Sequence, residues 1–371
     1  MQLVNTSRDS LLKPLQVVSG IVERRHTLPI LANLLFKKQG DKVSFVSTDI
    51  EIQITTNANF GVGAEDVTTT VAARKLLDIL RALPEGPVAL NLKDNKMVVQ
   101  SGKSRFSLQT LSAAEFPVMQ SVGEVTASWR MTQKSFRQLV GQVHFAMAQQ
   151  DIRYYLNGML LVVEGKQVIA VATDGHRLAY SQVELAEAPT GSGQRQEIII
   201  PRKTILECQH LLEDSDEMLE MSLTSNQVKF TFGDIELISK LVEGKFPDFQ
   251  RVIPKGHKNS LVVGRDVLQS ALQRAAILTT DKFKGVRFSL SPNRITVQST
   301  NAEQEEAQEE IETEYGGDVV EIGFNVSYLL DVLSNLKNEK IQISLGDANS
   351  SAVITLPGSE DFKYVVMPMR I

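Results

Sequence analysis

The chain repeats itself three times. A helix-patterned stretch opens near Ser7 (SRDSLLKPLQVVSGIV), returns near Thr132 (TQKSFRQLVGQVHFAM) and again near Gly264 (GRDVLQSALQRAAIL), at offsets of 125 and 132 residues. A second helical stretch follows in each third: ARKLLDILRAL from Ala73, PRKTILECQHLL from Pro201 and NVSYLLDVLSNL from Asn325. Counted from Leu76 to Ile205 to Leu329, those offsets are 129 and 124. Thr48-Asp49 returns as Thr173-Asp174, and Thr300-Asn301 takes that place in the last third; Phe116-Pro117 returns as Phe246-Pro247. Four markers in one order at one period are a duplication. The period is far longer than a solenoid unit and matches an ordinary domain. Three domains are expected, over 1–122, 128–253 and 259–371, with linkers near Ser121–Ala127 and Pro254–Asn259.

Within each third the first helix precedes alternating strand patterns joined by short turns. ANLLFKKQGDKVSFVSTDIEIQITT turns at Gln39-Gly40-Asp41, VALNLKDNKMVVQSGKSRFSLQTL at Lys93-Asp94-Asn95, MLLVVEGKQVIAVATDGHRLAYSQV at Glu164-Gly165-Lys166, and GVRFSLSPNRITVQST at Ser291-Pro292-Asn293. Such alternation reads as antiparallel hairpins. The unit is helix, strands, helix, strands, which is an α+β fold with two helices on one face of an antiparallel sheet. Leu11, Leu12, Leu15 and Val18 form one apolar helix stripe, and Leu76, Leu77, Leu80 and Leu83 another.

No apolar run is long enough to span a bilayer, and the polar start MQLVNTSRDS lacks the apolar core of a signal peptide. The single cysteine, Cys208, forbids an intrachain disulfide and sits in a helical pattern, so it reads as core filler in a reducing cytoplasm. The formal net charge is −5, but nine of the 44 acids fall between Glu303 and Glu321, and no Lys or Arg lies between Arg294 and Lys337. Without that block the chain has 35 acids against 39 bases. A mildly basic remainder can present a basic surface.

The polar helix faces carry Arg8, Lys13, Arg24, Arg25, Arg74, Lys75 and Arg81 in the first third. Lys134, Arg137, Arg202 and Lys203 follow in the second, and Arg265, Arg274 and Lys337 in the last. Alone, this pattern fits a solvated face as well as a nucleic-acid surface. No aromatic ladder interleaves with it, and no zinc-finger or basic-zipper spacing is present. No phosphate loop, HExxH, GxSxG or CxxC pair occurs. Thr173-Asp174-Gly175-His176-Arg177 suggests an Asp/His base, but Thr48-Asp49 has no histidine after it, which favours a turn. His144, His210 and His257 have no ligand-spaced partners. No catalytic residue, metal or cofactor is therefore expected. Two rival readings are a metal-dependent nuclease using Asp49 and Asp174, and an open three-domain scaffold.

The segments LPILANLL, ARKLLDIL, SRFSLQTL, DIRYYLNGML, ATDGHRLA, SKLVEGKFPDF, NAEQEEA, GFNVSYLLDVL and YVVMPMR, in that order, resemble the bacterial sliding-clamp family, the β subunit of the replicative DNA polymerase III. The resemblance covers the whole chain. It implies a head-to-tail homodimer closing a ring of six domains, lined by twelve helices, around duplex DNA. Twelve helices at roughly 9 Å spacing give a circumference of about 110 Å and a diameter near 35 Å. Subtracting a helix width of about 10 Å leaves roughly 25 Å. A duplex on the order of 20 Å wide passes.

The resemblance also implies residue roles. DNA contacts fall to Arg25, Arg74, Gln150, Arg153, Tyr154, Tyr155 and Arg202. The dimer contact is expected to set Lys75, Lys96, Lys103 and Arg105 against Glu303, Glu305, Glu306 and Glu309, around an apolar centre of Phe106 and Leu108 on Ile277 and Leu278. A pocket for short linear peptides is lined by Leu156, Thr173, Gly175, His176, Arg177, Leu178, Pro247, Arg251, Val252, Phe283, Asn325, Tyr328, Val365, Met367, Pro368 and Met369. Its partners are the polymerase III α subunit, the clamp loader and repair or translesion polymerases, with no membrane. Phe249-Gln250 departs from the family pattern, which favours a tyrosine and a second basic residue, so the pocket rim is expected to differ. The apolar tail YVVMPMRI reads both as a final strand and as an adaptable methionine-bearing pocket wall.

Overall fold

The computed structural model describes residues 1–22, 28–120, 123–191, 193, 195–279 and 284–370. Each expected helix forms. Helix α1 (Arg8–Ser19) starts where the Ser7 hydroxyl accepts the Ser10 amide at 3.1 Å, and Asp9 in its first turn favours the helix N-terminus. Leu11, Leu15 and Val18 are fully buried, each worth on the order of 2 kcal/mol, whereas Leu12 is only half-buried. Helix α2 (Ala73–Ala82) buries Leu76, Leu77 and Leu80, and Leu83 follows them into the core.

Helix α3 (Gln133–Gly141) buries Phe136, Leu139 and Val140, and α4 (Arg202–Leu211) buries Thr204, Ile205 and Cys208. Burial and the neighbouring Glu207 push the Cys208 thiol up, away from the reactive thiolate. The single turn α5 (Phe249–Val252) precedes α6 (Arg265–Ala276), which buries Leu268, Ala271, Leu272 and Ala275. Helix α7 (Val326–Asn335) is capped by Asn325, whose side chain accepts the Ser327 amide at 2.9 Å.

The chain packs as two compact units. The first comprises Met1–Lys134, Glu187–Gly193 and His210–Leu241. Its large sheet runs in the order Thr190–Gly191, Ala127–Thr132, Met218–Leu223, Gln227–Phe232, Ile235–Lys240, Ile52–Asn59, Lys42–Thr48, Asn33–Gln39, Val67–Ala72. A smaller sheet orders Gln2–Ser7, Pro87–Lys93, Lys96–Ser101 and Ser104–Gln109. Neighbouring strands in both sheets pair antiparallel. Helices α1 and α2 pack on each other, with α1 also on Lys42–Thr48 and Ile52–Asn59. The turn between Lys93 and Lys96 has positive φ at both Asp94 (50°) and Asn95 (57°), the geometry that matches strand twist in a two-residue hairpin.

The second unit comprises Ser135–Ala186, Gln194–Gln209 and Val242–Ile371. Its large sheet orders Gln196–Pro201, Gly158–Glu164, Gln167–Thr173, Arg177–Glu184, Ser359–Val366, Ala352–Leu356, Lys340–Leu345 and Asn259–Gly264. Its smaller sheet orders Glu306–Glu312, Arg294–Thr300, Gly285–Ser291 and Val320–Asn325. Each large sheet therefore joins strands of two successive repeats, through Leu237 opposite Ile54 in the first unit and Ala179 opposite Tyr364 in the second. Compactness follows these sheets, and the central repeat contributes strands to both. Among the described residues, no helix is long and apolar enough to cross a membrane.

Candidate functional site

The duplicated Thr-Asp pair makes the same turn twice. In the central repeat, Asp174 Oδ1 accepts the amides of His176 (2.9 Å) and Arg177 (3.1 Å), while Thr173 Oγ1 accepts the Gly175 amide (3.1 Å) and donates to the Arg177 carbonyl (2.6 Å). In the first repeat, Asp49 Oδ1 accepts the amides of Glu51 and Ile52 at 2.9 Å, and Thr48 Oγ1 accepts that of Ile50 at 2.9 Å. Both aspartates thus act as turn-formers through a carboxylate oxygen. Among the described residues no cluster of three or more His, Cys, Asp or Glu is arranged to hold a metal. Gly175 sits at φ +90°, and a Cβ there would meet Arg153 Nη2 at 3.0 Å.

Arg177 is the hub of this turn. Its side chain is 9% exposed, and the guanidinium donates through Nε to Asp174 Oδ2 (3.1 Å), through Nη1 to Asp331 Oδ2 (2.6 Å) and through Nη2 to the Phe145 carbonyl (2.8 Å). The Tyr328 ring covers one face at 4.5 Å, with Phe145 at 5.8 Å. Each of the three nitrogens donates at least one hydrogen bond, so Arg177 is fixed in place and braces the turn. Asp331 and Phe145 carried no recognisable signal in sequence: Asp331 reads there as the solvated side of an amphipathic helix.

An apolar floor lies beside this hub. Leu156, Leu178 and Val365 pack in one buried cluster with Leu160, Val171 and Phe246. The short tail after the last strand is stitched across it: Met367 N–H donates to the His176 carbonyl at 3.0 Å and Met369 N–H to the Gly323 carbonyl at 2.7 Å. His176 and Met367 are exposed, and Asn325, Tyr328, Pro368 and Met369 are half-buried. Pro247 is exposed. Helix α5 turns Arg251 and Val252 outwards, with Arg251 paired to Asp248 at 2.9 Å. Phe249 points the other way: it is buried, and its ring lies 5.9 Å from that of Tyr180. The departure at this position therefore falls in the core, and only Gln250 is exposed. Phe283 lies outside the described residues.

The residues expected to meet DNA are partly committed to intrachain bonds. Arg74 donates through Nε (3.1 Å) and Nη2 (2.6 Å) to the Val22 carbonyl. Arg153 grips Asp151 with Nε on Oδ1 (3.0 Å) and Nη2 on Oδ2 (2.8 Å), and these hydrogen bonds hold the Asp151 carboxyl at about 2. Gln150 takes a positive φ of 56°, and the Tyr154 and Tyr155 rings meet edge to face at 6.0 Å. Arg202 donates to the Met147 carbonyl at 3.4 Å, and burial followed by the charge of Arg177 lowers its pKa. Arg25 lies outside the described residues.

The expected dimer residues divide between the units. In the first, Ser104–Gln109 is an edge strand carrying Arg105, Phe106 and Leu108, beside exposed Lys103 and Lys96; Lys75 on α2 is exposed. In the second, Glu306–Glu312 is likewise an edge strand. Glu303, Glu305 and Glu306 are exposed, Ile277 just beyond α6 is 75% exposed, and Leu278 is half-buried. Glu309 already has a partner within the chain. Its two oxygens accept Arg274 Nε (2.8 Å) and Nη2 (2.6 Å), which lowers its pKa.

Comparison with known proteins matches the chain to the DNA polymerase III β subunit in three consecutive parts. The N-terminal domain matches over 1–120, the central domain over 130–248 and the C-terminal domain over 250–370. It is 45% identical over 365 residues to a beta sliding clamp of Pseudomonas putida and 44% identical over 366 residues to that of Escherichia coli, with 98% of both chains covered in each case. Among solved structures it resembles the DNA polymerase III subunit beta of Pseudomonas aeruginosa (TM-score 0.94, 43% identity) and the polymerase III β subunit of Caulobacter crescentus (TM-score 0.91, 36% identity), each covered in full by this chain. A P. aeruginosa sliding clamp bound to griselimycin matches at a TM-score of 0.95.

Proposed function

The chain belongs to the DNA polymerase III β subunit family, the bacterial sliding clamps, and is a DNA sliding clamp; from that premise we propose that two copies close head to tail into a ring around duplex DNA. The observation that carries the closure is a pair of complementary edges. Ser104–Gln109 leaves one hydrogen-bonding edge of its sheet unpaired beside Lys96, Lys103 and Arg105, and Glu306–Glu312 leaves another within an acidic strand. Exposed edges invite strand addition, and a head-to-tail contact pairs unlike surfaces. Phe106 and Leu108 against Ile277 and Leu278 then form the apolar centre. Lys75, Lys96, Lys103 and Arg105 face Glu303, Glu305, Glu306 and Glu309, with Arg274 remaining beside Glu309.

Topology supplies the grip in this reading, so no base is read. Arg25, Arg74, Gln150, Arg153, Tyr154, Tyr155 and Arg202 would touch the backbone lightly. Strong phosphate contacts would pin a ring that must slide. Intrachain bonds on Arg74 and Arg153 suit that demand, because they keep these cations from full-strength phosphate pairing. The pocket at Arg177 would take short linear peptides from the polymerase III α subunit, the clamp loader and repair or translesion polymerases, in the cytoplasm. No catalytic step and no cofactor is assigned to the chain. By repeat, its domains are 1–122, 128–253 and 259–371.

The test is retention on DNA. Loaded onto nicked circular DNA, the protein should stay bound at a salt concentration that strips ordinary contacts, and leave when the circle is cut. Equal retention on linear DNA, or a particle of one-chain mass in light scattering under loading conditions, overturns the ring.

A further inference from the structure

Asp331 belongs to none of the roles above, yet its hydrogen bond to Arg177 is shorter than those from Asp174 and the Phe145 carbonyl. It lies on α7 one turn beyond Tyr328, so the two side chains share a helix face. Tyr328 lays its ring over the Arg177 guanidinium at 4.5 Å, and Asp331 takes the Nη1 end at 2.6 Å. The same guanidinium is tied to Asp174, the residue that shapes the Gly175–His176 turn. The contact joins positions 154 residues apart, from the central repeat to the last. Two carboxylates and one carbonyl fix a planar fork, which specifies rotation as well as distance.

We propose that Asp331 is a positioning residue for peptide binding: through Arg177 it sets the rotation of α7, and with it the placement of Asn325 and Tyr328 opposite the 173–177 turn. Asp331 touches no peptide in this scheme. Without it, Arg177 keeps Asp174, the Phe145 carbonyl and the Tyr328 ring but loses its ionic tie to α7, leaving the ring stack alone to set the helix rotation. Asn325 and Tyr328 then lose their register while the apolar floor remains. Affinity falls because ordering that register becomes part of the binding step. This inference rests on the peptide-pocket reading above.

The experiment uses the full-length chain and a fluorescein-labelled clamp-binding peptide from a DNA polymerase III α subunit, read by fluorescence anisotropy. Asp331→Asn is expected to raise Kd about tenfold at low salt with the particle mass unchanged. The Asp331 side chain is 43% exposed, so screening reaches the pair. At about 1 M salt, where the screening length is roughly 3 Å, the ratio of the two Kd values should shrink towards one. In an Arg177→Met background, Asp331→Asn should add nothing. An unchanged Kd in Asp331→Asn overturns the inference. So does a lowered melting temperature with a salt-independent ratio, or a further tenfold loss in the Arg177→Met background. A wild-type chain that fails to bind the peptide overturns the pocket itself.

Discussion

Ile50 occupies in the first repeat the place that Gly175 occupies in the central one: both follow the Thr-Asp pair in the left-handed region, at φ +73° and +90°. A β-branched residue there costs roughly 1–2 kcal/mol. Ile50 is 41% exposed, so little burial offsets the strain. Ile50→Gly is therefore expected to stabilise the first unit by about 1 kcal/mol, read as a higher urea midpoint. Gly175→Ala should do the opposite, since its Cβ would meet the Arg153 guanidinium at 3.0 Å as well as the strain. A lower midpoint for Ile50→Gly would reject the argument.

His144 gives a pH dependence. Burial lowers its pKa below 6.5; backbone hydrogen bonds to Gly141 and Val140 oppose this, while the nearby Arg202 adds to it. The folded chain therefore refuses a proton that the unfolded chain accepts. The stability of the neutral ring is complete above pH 6.5 and is lost as pH falls below it towards the folded pKa. Denaturation midpoints between pH 7.5 and 5.5 should fall more steeply for the wild type than for His144→Gln. Parallel slopes would show that another group titrates.

Much of this architecture was legible because local signals and repeat agree. Leu76, Leu77, Leu80 and Leu83 mark one face of α2 by spacing alone, and Asp94-Asn95 marks its turn by residue type. What escaped was decided at long range. Nothing near Ile54 announces Leu237 as its cross-strand neighbour, and nothing near Arg177 announces Asp331. Lys38 looks like the polar end of NLLFKKQ, yet it is 1% exposed because its Nζ donates to the Gly63 and Glu65 carbonyls, both at 2.8 Å. Glu309 was legible as one member of an acidic block; its partner Arg274 on α6 was not.

The proposed dimer contact can be separated from folding. Ile277 is 75% exposed, so truncating it removes little from the core of its own chain. Ile277→Ala with Leu278→Ala is expected to give a folded particle of half the mass, with unchanged far-ultraviolet circular dichroism. Buried apolar centres dominate such interfaces, while rim charges contribute more to rate and specificity. Raising salt alone should therefore weaken the dimer less than the double substitution does. Light scattering of the double variant showing an intact dimer would remove the apolar centre from the scheme.

The C-terminal tail offers the last separation. The Met367 and Met369 amides tie it to His176 on the central-repeat turn and to Gly323 on the edge strand Val320–Asn325. Deleting Met367–Ile371 removes both ties and one wall of the proposed pocket, but leaves Val365 and the strand Ser359–Val366 in the sheet. The expected outcome is loss of peptide binding by at least a hundredfold, or about 3 kcal/mol, with the dimer mass retained. Ala352 and Arg177, which pair with Val366, keep the strand end in place. Peptide affinity equal to that of the full chain in fluorescence anisotropy would mean that the tail is only the end of a sheet.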